Sequence, residues 1–205
     1  MTFVTPGDEK RIAAALIAAE RRTSGEIVAV IASESDSYSF VPFLWAALAA
    51  LVVPLPLIVL TWWPIQWIYV LQLAVFAAGV AVLWSRTIRL ALVPAAIKRE
   101  RAHARAVEQF LVQNLHTTDG RTGVLVFVSV AERYAEVLAD SGIHKKVAQG
   151  TWDAIVAKLT DEIGHGNTGD AFVHAIEAIG VHLAKHVPPG SHDPNQLPNH
   201  LIVLA

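Results

Sequence analysis

The chain has 205 residues and no cysteine. That absence excludes disulfides, thiol catalysis and Cys-ligated metal, and it is neutral about compartment. Charge is missing from one long region, because no Asp, Glu, Lys, Arg or His occurs between Ser37 and Ser85. There is no basic excess either: the formal net charge is −2. A duplex-binding protein presents a clearly basic face, so no nucleic-acid partner is expected. The N-terminus also lacks the apolar core of a secretory signal. Met1–Lys10 is polar and Arg11–Arg22 is a charged amphipathic stretch, so the first apolar span is expected to serve as an uncleaved anchor.

The uncharged stretch is the strongest feature present. One bilayer crossing takes about 20 apolar residues, and this region holds two. The spans are read as about 40–60 and 65–83, with a turn near Trp62-Trp63-Pro64-Ile65-Gln66. Pro54 and Pro56 should kink the first span or end it early. Gly79 and several alanines would let the second pack closely. Trp62, Trp63, Trp67 and Tyr69 suit an aromatic belt at one interface, with Trp45 and Trp84 at the other. The competing reading is a buried helical hairpin inside a soluble domain, but core helices rarely exclude charge for so long. Lys10, Arg11, Arg21 and Arg22 precede the hairpin, and Arg86, Arg89, Lys98, Arg99, Arg101 and Arg105 follow it. The positive-inside rule then puts both flanking parts in the cytoplasm, on the inner membrane, with Arg86 and Arg89 near lipid headgroups.

Outside the hairpin the pattern is α/β. Thr5 reads as the N-cap of a helix with Pro6 in its first turn, carrying Ile12, Ala15, Leu16 and Ala19 on one face to about Arg22. Glu26–Ile31 reads as a buried strand, and Val124–Val130 and Tyr134–Ala139 as two more. Between the membrane stretch and these strands, Thr87–Pro94 is a short amphipathic elbow. Ala95 to about Leu115 is a helix with Ala102, Val107, Phe110 and Leu111 as packing residues. Two closing helices are expected over Lys145–Ile163 and Thr168–His186, the latter with Thr168 as N-cap. Pro188-Pro189-Gly190 would close the domain before a loose tail. The first strand has no partner upstream of the hairpin, so a single domain split by the insertion is predicted. Its parts are residues 1–36 and 86–190, with the hairpin at 37–85 and the tail at 191–205.

Several segments resemble one known family. Ala19-Glu20-Arg21-Arg22-Thr23-Ser24-Gly25-Glu26-Ile27-Val28 resembles the opening of TPM domains, named after a thylakoid lumen protein, a photosystem II-associated protein and a nematode receptor modulator. The run from Arg121 through Ser129, then Glu132-Arg133 and Val137–Ile143, resembles the family's central β-hairpin, and Trp152 and the Gly169–Gly180 helix also fit. The nearest likeness is to the bacterial membrane subgroup whose spans interrupt the domain. This resemblance implies an α/β/α sandwich with a small mixed sheet. For function it implies several things, because relatives have been linked to acid phosphatase activity, divalent-cation binding, and assembly or repair of membrane complexes. No family catalytic motif transfers residue by residue.

Candidate chemistry is sparse. Asp140, Ser141 and His144 place a carboxylate, a hydroxyl and an imidazole near a strand end, although Asp-Ser-Gly is also an ordinary turn. His182 and His186 lie four apart on a helix and could share an ion, while Asp161, His165, Asp170 and His174 offer further ligands for a divalent cation. A solvated helix face is the simpler account of those six. The Gly-rich link Gly164–Gly169 lacks the lysine of a phosphate-binding loop. The reading that follows is a membrane-anchored accessory factor in assembly or turnover, with the bilayer and other membrane proteins as partners. The alternatives are a metal-assisted phosphatase-like hydrolase and a cation-binding sensor domain.

Overall fold

In the computed structural model, residues 3–118, 120–189, 197 and 199–204 are described. Gly190 of the expected closing motif and residues 191–196 of the expected tail lie outside the described residues.

The chain forms two compact units, Met1–Ser35 with Arg99–Ala205, and Asp36–Lys98. In the first, helix α1 (Pro6–Glu20) begins with a capping box in which Thr5 and Asp8 each accept from the other's backbone N–H. Strand β1 (Glu26–Ala32) is buried at every position, and so is β2 (Gly123–Ser129). Such continuous apolar runs belong to parallel strands covered on both faces. β1 and β2 pair in parallel from Glu26 opposite Gly123 to Ala32 opposite Ser129. β3 (Tyr134–Ala139) returns antiparallel to β2 after a turn closed by the Arg133 N–H on the Val130 carbonyl. Arg133 sits at φ 51°, a left-handed position of the kind that ends short hairpin loops.

A fourth strand, β4 (Leu201–Leu204), lies parallel to the other side of β1, so the order is β3-β2-β1-β4. It falls in the stretch read as tail. Leu201 packs into the core on one face of the sheet, while Ile202 and Leu204 pack on the other. Four residues after a Pro- and Asn-bearing stretch are too few to show a strand period, and only pairing with β1 makes them one.

Helices α1, α8 (Gln149–Gly164) and α9 (Thr168–His186) share one face of the sheet with Ile27, Ala29, Ile31, Val124 and Val126. Trp152 and Phe172 are the largest buried side chains of that layer. α6 (Ala95–Val112) covers the other face, against Val28, Val30, Leu125 and Phe127. The three-layer α/β architecture with a small mixed sheet is therefore present. Close approach of α1 to α9 depends on Gly180, where a Cβ would come within 2.8 Å of the Ala19 Cβ.

One buried face and three boundaries differ from expectation. α6 buries Ala102, Ala106 and Gln109, while Val107 and Leu111 are 39% and 51% exposed. Small side chains let the helix lie close to the sheet, which turns the bulkier ones outward. Lys145–Ala148 is a turn between α7 (Ser141–His144) and α8, held by Lys146 and Val147 N–H groups on the Ile143 carbonyl. The N-cap of α9 is Asn167, one residue before the expected Thr168. The first helix ends at Glu20, with Arg21 as its C-cap.

The second unit holds α2 (Phe40–Val52), α3 (Pro54–Leu60), α4 (Ile65–Leu83) and α5 (Arg86–Leu92). The first apolar helix is interrupted at Val53, where Pro54 starts a new segment with no N–H to donate back. α2 and α4 pack together with a Cβ at Gly79 coming only 3.1 Å from the Ala46 Cβ, and Phe43 meets Trp84 edge-on at 5.9 Å. Tyr38, Val41 and Val93 form a small buried cluster of their own.

Gly142 offers a test of the sheet domain. A Cβ there would lie 2.2 Å from the Gly120 carbonyl oxygen and 2.5 Å from that of Arg121, so backbone must move. Gly142→Ala is expected to destabilise the domain by about 1–3 kcal/mol, read as a lowered denaturant midpoint. An unchanged midpoint would show that the approach of the two loops is not as tight as described.

Candidate functional site

At the end of β3, Asp140 caps α7. Its Oδ1 accepts from the Ser141 N–H at 2.6 Å, its carbonyl accepts from the His144 N–H at 2.9 Å, and Arg121 Nη1 lies 3.9 Å from Oδ2. These bonds are those of a turn and cap. The Ser141 hydroxyl and the His144 ring are not brought into a nucleophile–base hydrogen bond among the described contacts. A shallow groove of about 210 Å³ beside Asp140 is walled by Val107, Phe110, Leu138 and Ala139.

The six metal candidates are dispersed over α8 and α9. Asp161 and His165 are exposed at the end of α8, where the His165 ring bonds the Asp161 carbonyl at 2.8 Å. Asp170 accepts from Arg11 at 2.5 Å. His174 pairs through Nδ1 with Glu162 at 2.9 Å, which leaves its other ring nitrogen free of that bond. His174 and His182 line an apolar groove of about 330 Å³ between α8 and α9 with Lys158 and Leu159. The backbone carbonyl of His186 accepts from Lys146 at 3.3 Å. Among the described residues, no three His, Asp or Glu side chains come together as metal ligands.

Two clusters were invisible in the sequence. At the carboxyl ends of β1 and β2, the buried Glu132 accepts from the Ser35 N–H at 3.1 Å and from the Ser129 hydroxyl, which in turn takes a bond from the Ser35 hydroxyl at 2.7 Å. Carboxyl ends of parallel strands are where open α/β sheets place ligands. A cleft of about 430 Å³ adjoins this cluster, lined by Val128, Ser129, Arg133, Tyr134, Thr160 and Ile163. On the α6 side, His103 Nδ1 meets Glu136 at 2.9 Å and the Tyr134 hydroxyl donates to the same carboxylate at 2.9 Å. Burial first, then the Glu136 charge, push the Tyr134 phenol well above its usual range. Glu132 and Ser35 are 97 residues apart, and only the pairing of β1 with β2 makes them neighbours.

In the second unit, Trp45, Trp62, Trp63, Trp67 and Trp84 are all exposed, and Arg86 and Arg89 lie on α5. Two helices, Phe40–Leu60 and Ile65–Leu83, are long and apolar enough to cross a membrane.

The fold thus defines an α/β domain on a four-stranded mixed sheet, with an apolar helical segment inserted between β1 and α6. Residues 85–181 match the TPM domain. The matched stretch begins after the apolar helices and leaves out α1, β1 and β4, which the structure builds into the same unit. The NMR structure of the BA42 protein from the psychrophilic bacterium Bizionia argentinensis has a similar fold, with a TM-score of 0.62 and 21% identity over 98% of this chain and 95% of that one. At that identity the likeness concerns the fold alone. No curated protein matches the chain.

Two predictions test the polar clusters. Bonds from Arg11 and then Thr5 hold the Asp8 carboxyl down at about 2, against an ordinary 3.8. A depressed carboxyl contributes stability that is complete above its unfolded value and lost as pH falls through its folded one. The thermal midpoint of the wild type should therefore fall between pH 4 and 2 by more than that of Asp8→Asn, and parallel curves would refute the assignment. For the second cluster, Glu132→Gln should cost about 1–3 kcal/mol in denaturant unfolding, because it weakens a buried acceptor that two donors share. A neutral substitution would show that the Ser35–Ser129–Glu132 arrangement does not hold the end of β1.

Proposed function

We propose that this protein is a membrane-anchored accessory factor, whose TPM domain acts in the assembly or turnover of membrane protein complexes. One observation carries the membrane half of the reading. The most apolar windows of Phe40–Leu60 and Ile65–Leu83 are only 11% and 6% buried. Leu51, Val52, Leu55, Ile58, Val59 and Leu60 are exposed together, in a patch no water-soluble surface sustains. A core helix of a soluble protein would bury such side chains, so a bilayer is the solvent that suits them. In this reading both helices span the inner membrane, the loop Thr61–Pro64 faces outward, and the sheet domain is cytoplasmic.

The accessory role is supported by how the polar side chains are used. Asp140 caps α7, Asp170 holds Arg11, and Glu132 ties Ser35 to Ser129. Confining the domain to the bilayer raises the effective concentration of weak lateral contacts, which suits a protein that works on neighbouring membrane proteins.

The chain has no native cysteine, so single-cysteine labelling is clean. Thr61→Cys should react with an impermeant maleimide added outside intact cells, whereas Ser24→Cys should react only after lysis. Carbonate washing should leave the protein in the membrane fraction. Crosslinking in membranes followed by mild detergent should co-purify other membrane proteins, and recovery of the chain alone would argue against the accessory role. Turnover of a generic phosphoester by the purified chain with added Mg²⁺ or Mn²⁺, abolished in Asp140→Asn, would replace that role with the hydrolase.

A further inference from the structure

Arg133 is an expensive residue for its position. It closes the β2–β3 turn at φ 51°, a left-handed conformation that glycine adopts without strain. Its backbone N–H bonds the Val130 carbonyl, so the turn makes no use of the guanidinium. The residue is exposed, and among the described residues its side chain has no hydrogen-bond or ion-pair partner. It lines the cleft of about 430 Å³ at the carboxyl ends of the parallel strands.

The walls of that cleft are mostly apolar. Val128, Val130, Ala135 and Ile163 belong to the hydrophobic layer on the α8 side of the sheet, so an apolar group seated among them extends the core. The polar groups are of two kinds. Arg133 offers N–H donors in a planar fork that matches a carboxylate. Thr160 gives its own proton to the Val156 or Ala157 carbonyl, at 2.8 or 2.9 Å, which leaves its oxygen able to accept. Thr160 and Gly164 stand in the last turn of α8, where the helix dipole favours an N–H over a negative charge. The Ser129 hydroxyl is taken up by Glu132 and Ser35. Among the described residues no carboxylate lines the cleft, since Glu132 is buried outside its walls.

We infer that this cleft binds the C-terminal end of a polypeptide. The terminal carboxylate pairs with Arg133, the last side chain is apolar and seats against Val128, Val130 and Ile163, and the last amide N–H donates to the Thr160 oxygen. These three demands together select the ligand. An inorganic anion satisfies Arg133 and leaves the apolar walls in water. An uncharged apolar ligand fills the walls and leaves the guanidinium unpaired. An internal apolar segment brings an N–H and a side chain but no anion. A chain terminus carries all three on one residue, which suits a cleft toward the small end of ligand-site volumes. It also accounts for an arginine in a turn that glycine would close with less strain. The inference concerns the sheet domain alone and is separate from the membrane reading.

The test titrates the full chain in detergent with acetyl-Ala-Leu carrying a free carboxylate, followed by nuclear magnetic resonance. The backbone amides of Ser129, Arg133, Ala135, Ile163 and Gly164 should shift, together with the Arg133 Nε–H. The same peptide as its C-terminal amide keeps the side chain and loses the charge-assisted pair, so it should bind at least about ten-fold more weakly. Arg133→Gly suits the left-handed turn and should lower affinity for the acid by a similar factor. Arg133→Lys keeps the charge without the fork and should fall between the two. Ala135→Leu fills the cleft while Arg133 stays, and it should also lose binding. Circular dichroism checks that the variants fold. Equal affinity for the acid and the amide overturns the inference, as does acetate shifting the same amides at the same concentration. So does an affinity unchanged in Arg133→Gly, or no shift with the free acid.

Discussion

The pairing of β1 with β2 is the constraint on which the rest of the structure depends. Every residue of Glu26–Ala32 is buried, and a strand of that kind is stable only between two neighbours in the middle of a sheet. Both neighbours are distant in sequence. β2 begins at Gly123, beyond the apolar helices, and β4 begins at Leu201, near the C-terminus. The entropy of closing so long a loop grows only with the logarithm of its length, by about 0.6 kcal/mol per doubling. An inserted pair of helices is therefore a modest load on a sheet whose central strands are wholly desolvated. It also follows that neither part of the domain can bury its strands without the other.

That same pairing determines where the polar groups go. Ser35 and Ser129 come together because Ser129 ends β2 and Ser35 follows the end of its parallel partner β1, and Glu132 reaches them from the turn that starts β3. Burying a carboxylate is costly unless its oxygens find donors, and here a backbone N–H and a hydroxyl supply them. The helix layer behaves likewise, since Asp8, Arg11 and Asp170 tie the start of α1 to the start of α9. Polar residues that look like catalytic material in a linear scan are thus largely occupied in holding ends of elements in place.

Several elements were legible because their cause is local. Thr5, Pro6 and Asp8 announce the start of α1, and Pro54 announces the break between α2 and α3. The hairpin of β2 and β3 was readable from its apolar run and following turn. Where the cause is not local, reading failed. On α6 the expected Ala102 is buried and Phe110 packs on the core, but the close approach of the helix to the sheet favours Ala106 over Val107 and Leu111. β4 has too few residues to show a period, and the apolar Val147, buried without being helical, makes Lys145–Ala148 look like part of the helix that starts at Gln149. Of the candidate site, Asp140, Ser141 and His144 do lie together, but in a cap, and among the described residues no three of the six His and Asp candidates gather as metal ligands.

The sequence by itself determined the composition of each segment: an uncharged stretch that suits a bilayer, apolar strands with no room for water, and capping residues whose hydrogen bonds span three or four positions. Those properties depend on neighbours along the chain, so one dimension suffices to read them. Only the tertiary structure decided the strand order, the parallel register of β1 with β2 and β4, and the meetings of Ser35 with Glu132 and of His103 with Glu136. These rest on which faces are desolvated together when distant segments pack, and no spacing along the chain encodes that.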